Sequence, residues 1–336
     1  MRLRFALAAF AVLCLIPALS HASFGSTFTT FDVPGVISQT SAVNKWGSVT
    51  GYYNPTNGSG FNGFIYQASS GVVTTFSVPG VSRTYALSIN DTGWVVGYYL
   101  DKSGVNHGFL RNPKITTLDV PGAGTLSGQG TQALSINDAG QIAGVYFDTG
   151  GYEHGFIRDA SGNYTSFDVP GDSWVESAWL NQNGQVGGTY YANSVNHGYI
   201  MATDGTFTTF DAPESSTPGT FVLSINLSGE TTGVYYPSAG GLQEFVRDQY
   251  GNMTTFSIPY FYTVAGIEDN GNVIGMKSHL SQDRGWKRTP AGVVTYFNDA
   301  SSGYDGTVPT CVSGNGKVAG TYFDSGGKIH GFLMTN

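Results

Sequence analysis

A short pattern returns seven times along this chain of 336 residues. Its first element reads Thr-Thr-Phe-Asp-Val-Pro-Gly at 29–35. It comes back at 74–80, 116–122, 165–171, 208–214, 254–260 and, most altered, 295–300. Between copies run a second element, Ala-Leu-Ser-Ile-Asn-Asp-x-Gly-x-Val-x-Gly-Tyr-Tyr, and a third, His-Gly-Phe-Leu-Arg. Such a period marks a propeller, a solenoid or an array, because one repeat cannot bury its own apolar face. Setting aside the first 22 residues leaves about 45 per repeat, the length of one four-stranded propeller blade.

One repeat reads as four strands. Residues 86–90 give a short apolar strand a, 94–100 strand b, 107–111 strand c and 115–120 strand d. Pro121 ends the last one, since proline cannot donate to a ladder. The a–b turn ends in glycine in every repeat, at Gly47, Gly93, Gly140, Gly184, Gly229, Gly271 and Gly316. That points to a turn needing a positive φ. Four residues later strand b carries another glycine, from Gly51 and Gly97 to Gly320. It implies a close backbone approach, expected against the neighbouring repeat. Strand c holds one aromatic per repeat (Phe64, Phe109, Phe156, Tyr199, Phe245, Trp286, Phe332), expected to pack between repeats.

The chain starts its repeats on a lone strand d at 27–33 and ends on strands a, b and c at 311–334. The expected fold is therefore an all-β, seven-bladed β-propeller of four-stranded blades. The N-terminal strand would complete the C-terminal blade and protect both edges. Charged residues make up only 11% of the chain, beside 48 Gly, 20 Tyr and 21 Phe, which suits strands buried on both faces.

Residues 1–22 read as a secretory signal peptide: Arg2 and Arg4, an apolar stretch from Phe5 to Leu19, then Ser20-His21-Ala22 at the cleavage site. Residues 23–336 form the single expected domain, secreted or extracellular, with the periplasm as the other destination. No later stretch is long and apolar enough to span a bilayer. Without the two leader arginines the balance of Lys and Arg against 23 acidic residues gives a net charge of about −10. An acidic chain without a basic run argues against nucleic acid. Cys311 is the one cysteine beyond the leader, so no internal disulfide is expected, and it reads as a small buried hydrophobe. A monomer is expected.

The core 88–97, Ser-Ile-Asn-Asp-Thr-Gly-Trp-Val-Val-Gly, its copy at 135–144, and His-Gly-Phe at 107–109, 154–156 and 330–332 resemble the probable extracellular repeats of the HAF family of bacterial exported proteins. That family pairs an I-N-x-x-G-x-V-x-G core with a His-Ala-Phe strand, so glycine replaces alanine here. The resemblance covers nearly the whole chain after the leader. It implies an exported repeat protein and transfers no catalytic residue. The Trp-Asp dipeptide of WD repeats and the full sialidase box are missing.

Four histidines, His107, His154, His197 and His330, precede the strand c aromatic. One per repeat spreads them around a ring, so a local hydrogen bond fits better than a shared metal. Neither a metal nor a cofactor is expected. Acidic b–c turns at Asp101, Asp148 and Asp324 supply one carboxylate each, short of the ~6–8 oxygens that calcium takes. The a–b turns are nearly constant, whereas the d–a and b–c connections vary. Both variable sets lie at one end of a four-stranded meander, which marks that end as the expected binding face.

The candidate ligand-binding residues there are Arg83, Tyr85, Asp172, Trp174, Glu176, Glu214, Tyr260, Tyr262, Tyr304 and Asp305. Aromatics beside carboxylates suit sugar rings, and they equally suit ordinary loops in a tyrosine-rich chain. Two functions compete. One is a non-enzymatic binding or scaffold module for a glycan, a cell-surface component or a protein partner. The other is a carbohydrate-active hydrolase or lyase, whose acids would come from loops, as in Glu176 with Asp172 or Glu214. The inner strands contain no acid, and G-x-S-x-G, phosphate-loop and H-E-x-x-H motifs are missing. Binding is therefore preferred, with no catalytic residue assigned.

Overall fold

The computed structural model describes residues 25–56, 60–171, 174–258, 261–278, 283–303 and 306–335. The expected leader, 1–22, lies outside them. Among the described residues there are 29 strands and no helix. Each sequence repeat folds as an antiparallel run in the order a-b-c-d. In the first unit these are Gly35–Val43, Val49–Pro55, Asn62–Gln67 and Val72–Phe76. The following units span 83–118, 130–167, 174–210, 215–256 and 261–297. The last comprises 307–335 and, as its outer strand, Thr27–Phe31. Thr27 lies opposite Thr335 and Phe31 opposite Gly331.

Hydrogen bonding gathers these runs into five sheets of four, eight, nine, four and four strands, not into seven separate ones. The reason is a parallel bridge between the start of strand c in one unit and the start of strand a in the next. Asn106 meets Gly130 and Asn196 meets Gly219, and each bridge fuses two units into one sheet. Isolated bridges Phe61–Arg83 and Asp283–Gly306 repeat the arrangement at two other junctions. Gly130 (φ 101°) and Gly219 (φ 116°) allow it, because a Cβ there would strike the Asn106 or Asn196 carbonyl.

At the opposite end the a–b turns are wired together. The Asn that begins five of the turns accepts at Oδ1 from its own turn: Asn44 from the N–H groups of Trp46 and Ser48, Asn90 from Trp94, Asn181 from Asn183 and Gln185. Its amide nitrogen donates to the corresponding carbonyl of the next turn. The chain runs Asn44 to Asn90 (3.0 Å), Asn90 to Asn137 (3.1 Å), Asn137 to Asn181 (3.3 Å), Asn181 to Asn226 (2.9 Å) and Asn226 to Glu268 (3.1 Å). From there Asp269 N–H donates to Gly314 O, and Asn315 Nδ2 donates to Lys45 O in the first unit. All five Asn are buried. The turn glycines take the expected positive φ, 78–86°.

The seven strand c aromatics are fully buried. Five of them meet the strand d Phe of the preceding unit: Phe31–Phe64, Phe76–Phe109, Phe167–Tyr199, Phe210–Phe245 and Phe256–Trp286, with ring centroids 5.9–6.2 Å apart. Arg111, Arg247 and Arg288 cap the same Phe rings at 4.3–4.9 Å. The strand b glycines answer to a different constraint from the one expected. A Cβ on Gly51, Gly97 or Gly320 would collide with the carbonyl of strand a and the strand c ring of its own unit. The close approach is therefore within the unit. The glycine of His-Gly-Phe is explained similarly: at Gly63, Gly155, Gly198, Gly285 and Gly331 a Cβ would run into the strand d Phe.

One unit breaks that last rule. Glu244 stands at the position of those glycines, fully buried, with neither carboxyl oxygen hydrogen-bonded. Burial pushes it up to about 8, against the pull of Arg288. The folded pKa lies above the unfolded one, so the fold favours the protonated acid. Stability falls as pH rises from the ordinary carboxyl range to about 8 and levels off above it. Glu244→Gly should raise the urea midpoint by little at about pH 5. At about pH 9 the gain should reach the order of a few kcal/mol. A gain independent of pH would contradict the assignment.

Candidate functional site

The d–a and b–c connections share the end opposite the Asn chain. Four d–a connections are pinned by a buried Thr near the start of strand a. Thr84, Thr131, Thr220 and Thr307 accept the N–H groups of Val78, Val120, Ala212 and Asp299 at 2.9–3.1 Å. The fourth unit has Val175 instead. Its strand a is split into Trp174–Val175 and Trp179–Leu180. Between the pieces the N–H groups of Glu176 and Ser177 both point to Thr189 O. This bulge inserts Glu176 one place before the register recovers. Bulges of this kind re-aim side chains and gather near functional sites.

The bulge brings Glu176 beside Glu153, which begins strand c of the preceding unit. Glu153 is pushed up to about 7, first by burial and then by the negative charge of Glu176. Burial also raises Glu176. Trp174 is 47% exposed, and its ring centroid lies 6.2 Å from that of Tyr191 across the strand pair. The junction between the third and fourth units thus offers a flat apolar ring, a phenol and two carboxyl groups raised above the ordinary carboxylate range.

The other expected residues divide. Tyr85 joins an aromatic cluster with Tyr52 (5.1 Å), Phe61 (5.4 Å) and Tyr98 (4.9 Å), where burial, then Tyr85 and Tyr52, push Tyr98 up to about 12. Exposed Arg83 sits beside it, near a groove of about 410 Å³ lined by Pro55, Asn62, Ser82, Leu100, Asp101 and Lys102. Glu214, at φ 58°, belongs to the next junction, where its carbonyl accepts from Ser238. Tyr262 stands opposite Lys277 in the sixth unit. Asp172, Tyr260, Tyr304 and Asp305 lie outside the described residues.

The histidines are engaged within their own units. Nδ1 of His107, His154, His197 and His330 meets Asp119, Asp168, Asp211 and Asp32 at 2.7–3.0 Å. Each imidazole stacks at 5.1 Å on a Tyr of strand b: Tyr99, Tyr146, Tyr190 or Tyr322. Asp101, Asp148 and Asp324 approach the Nε2 side, and their own b–c turn N–H groups hold them below the usual carboxylate range. No cluster of three or more metal-ligating side chains occurs among the described residues. Cys311 is buried and its thiol is pushed up to about 12, unsuited to nucleophilic chemistry. No described helix is long and apolar enough to cross a membrane.

No family model and no curated protein matches the sequence. Solved structures do. The β-propeller domain of the Trilobed protease from Pyrococcus furiosus, which has an open velcro topology, aligns with a TM-score of 0.62 at 11% identity. The alignment covers 90% of this chain and 95% of that one. An oligogalacturonate lyase in complex with manganese gives 0.60 at 12% identity, covering 94% of each chain. A lectin from Burkholderia pseudomallei gives 0.50 at 10% identity, covering 91% and 94%. At such identities the likeness carries the fold alone: the chain is a β-propeller.

The charge of Glu176 contributes to the raised Glu153, so Glu176→Gln should lower the Glu153 titration midpoint from about 7. Burial is the larger cause, so the midpoint should stay above the ordinary carboxyl range. Carboxyl-detected NMR titration reads both values. An unmoved midpoint would place the two groups too far apart to interact.

Proposed function

We propose that the chain is an exported, closed seven-bladed β-propeller of the HAF-repeat type that binds glycan at the junction between its third and fourth blades. Closure is supported by the pairing of Thr27–Phe31 with Ile329–Thr335 and by the turn chain that returns from Asn315 to Lys45. A side-chain contact between Thr40 and Thr310 joins the same two blades on their inner strands. The binding reading rests on one observation: the relocated bulge carries Glu176 just past a half-exposed Trp174, on a strand packed against the one that Glu153 begins. A sugar offers an apolar ring face to the indole and hydroxyl donors to the carboxylates. The acidic chain is poorly matched to nucleic acid.

A second reading has its own support. A carboxyl titrating near 7 beside a second carboxyl is the pairing that lets one act as acid and the other as base in glycoside cleavage. The fold leaves both classes open, since function resides in the site.

A panel of polysaccharides screened for retention and for released products separates them. Binding predicts retention without products, weakened about tenfold or more in Trp174→Ala. Products that disappear in Glu153→Gln would favour the catalytic reading. Retention unaffected by Trp174→Ala would remove the site from the account.

A further inference from the structure

The exposed Trp46 lies at the other end of the molecule, among the a–b turns. The third residue of those turns is Trp46, Thr92, Ala139, Asn183, Ser228, Asn270 and Asn315, so one unit alone places a large apolar ring there. It is 64% exposed, the most exposed tryptophan described. It is not covering a core: it lines a groove of about 490 Å³ between the first two units, within the ~300–1,000 Å³ of small-ligand sites. Three segments form the walls: the turn holding Asn44, Trp46 and Ser48, the c–d turn with Gln67 and Ser69, and the next a–b turn with Asp91 and Thr92.

The polar groups are arranged for a neutral ligand. Lys45 Nζ is 2.7 Å from Asp91 Oδ2 and 5.0 Å from the centre of the Trp46 ring. Asp138 lies against Asp91 as well, its carboxylate accepting from Asp91 N–H at 2.7 Å, so the cluster carries an excess of carboxylate that opposes an anionic ligand. A hydroxyl can donate to Asp91 without disturbing the pair. The exposed Gln67 and Ser69 add an amide and a hydroxyl that both donate and accept. The Asn44 backbone and side chain are committed to the turn chain, which fixes the groove's floor.

The geometry points to a second saccharide site, for a neutral hexose or hexosamine unit stacked on Trp46 with its hydroxyls on Asp91, Gln67 and Ser69. It faces away from the Trp174 junction, so one molecule would hold two glycan chains on opposite ends. This site does not depend on the reading given to Trp174.

Calorimetric titration of the purified protein with neutral gluco-, xylo-, manno- and N-acetylglucosamine oligosaccharides tests it, with Trp46→Ala, Trp46→Phe and Trp174→Ala as variants. Trp46→Ala should weaken one class of sites about tenfold or more. Because the ring is exposed, the unfolding midpoint should not move, and Trp46→Phe should recover part of the binding. Loss in Trp174→Ala alone, with Trp46→Ala unchanged, overturns this site and leaves the junction standing. Loss in Trp46→Ala alone does the reverse. Binding of none of these sugars, or preference for an acidic saccharide, overturns the assignment to a neutral one.

Discussion

Five of the seven a–b turns each depend on one asparagine used twice. Its carbonyl oxygen holds its own turn, and its amide nitrogen reaches the next turn in the series. A propeller unit buries its apolar face only against its neighbours, and stability in such arrays is a sum of unit and interface terms. The asparagine chain supplies the polar part of that interface where side-chain packing thins out. Every link adds a second, buried hydrogen bond to a carbonyl that already accepts from its own turn glycine, worth about 0.5–1.5 kcal/mol net. The last two units lack the asparagine, with Glu268 and Ser313 in its place, and the link passes to Asp269 and Asn315 instead. Ser313 still caps its own turn through Lys317 N–H.

Against so regular a frame, the departures carry the functional information. Val175 replaces the threonine that pins the d–a connection, the strand bulge moves, and Glu176 emerges beside Glu153. Trp46 replaces a small turn residue and borders a groove. Glu244 replaces a glycine and gives a buried acid with neither oxygen hydrogen-bonded. In a chain whose repeats share so much of their pattern, such exceptions are conspicuous.

Much of this was legible in the sequence. The strand order and the turn glycines follow from the pattern of the repeats because each obeys a constraint local to one unit, and the strand c aromatics follow because the same packing recurs from junction to junction. The strand b glycine was legible as a close approach but not as to its neighbour. Sequence spacing does not say whether the crowding carbonyl belongs to the same unit, and Gly97 meets Tyr85 of its own. The second task of Asn90 was hidden because turn chemistry already accounts for an asparagine there. Glu153 is inconspicuous beside the recurrent His154, and its meaning depends on a bulge more than twenty residues away in the next unit. Trp46 lay at the end whose near-constant turns drew attention to the opposite face.

Hydrogen exchange on Asn90→Ser tests the turn chain most directly. Serine keeps the cap on its own turn, as Ser313 does, and removes the donor to Asn137 O. The account predicts that protection falls in the 137–141 turn of the next unit as well as at 90–94, with a loss in global stability of about 0.5–1.5 kcal/mol. Loss confined to 90–94, with the neighbouring turn and global stability unchanged, would mean that the units are held by packing alone.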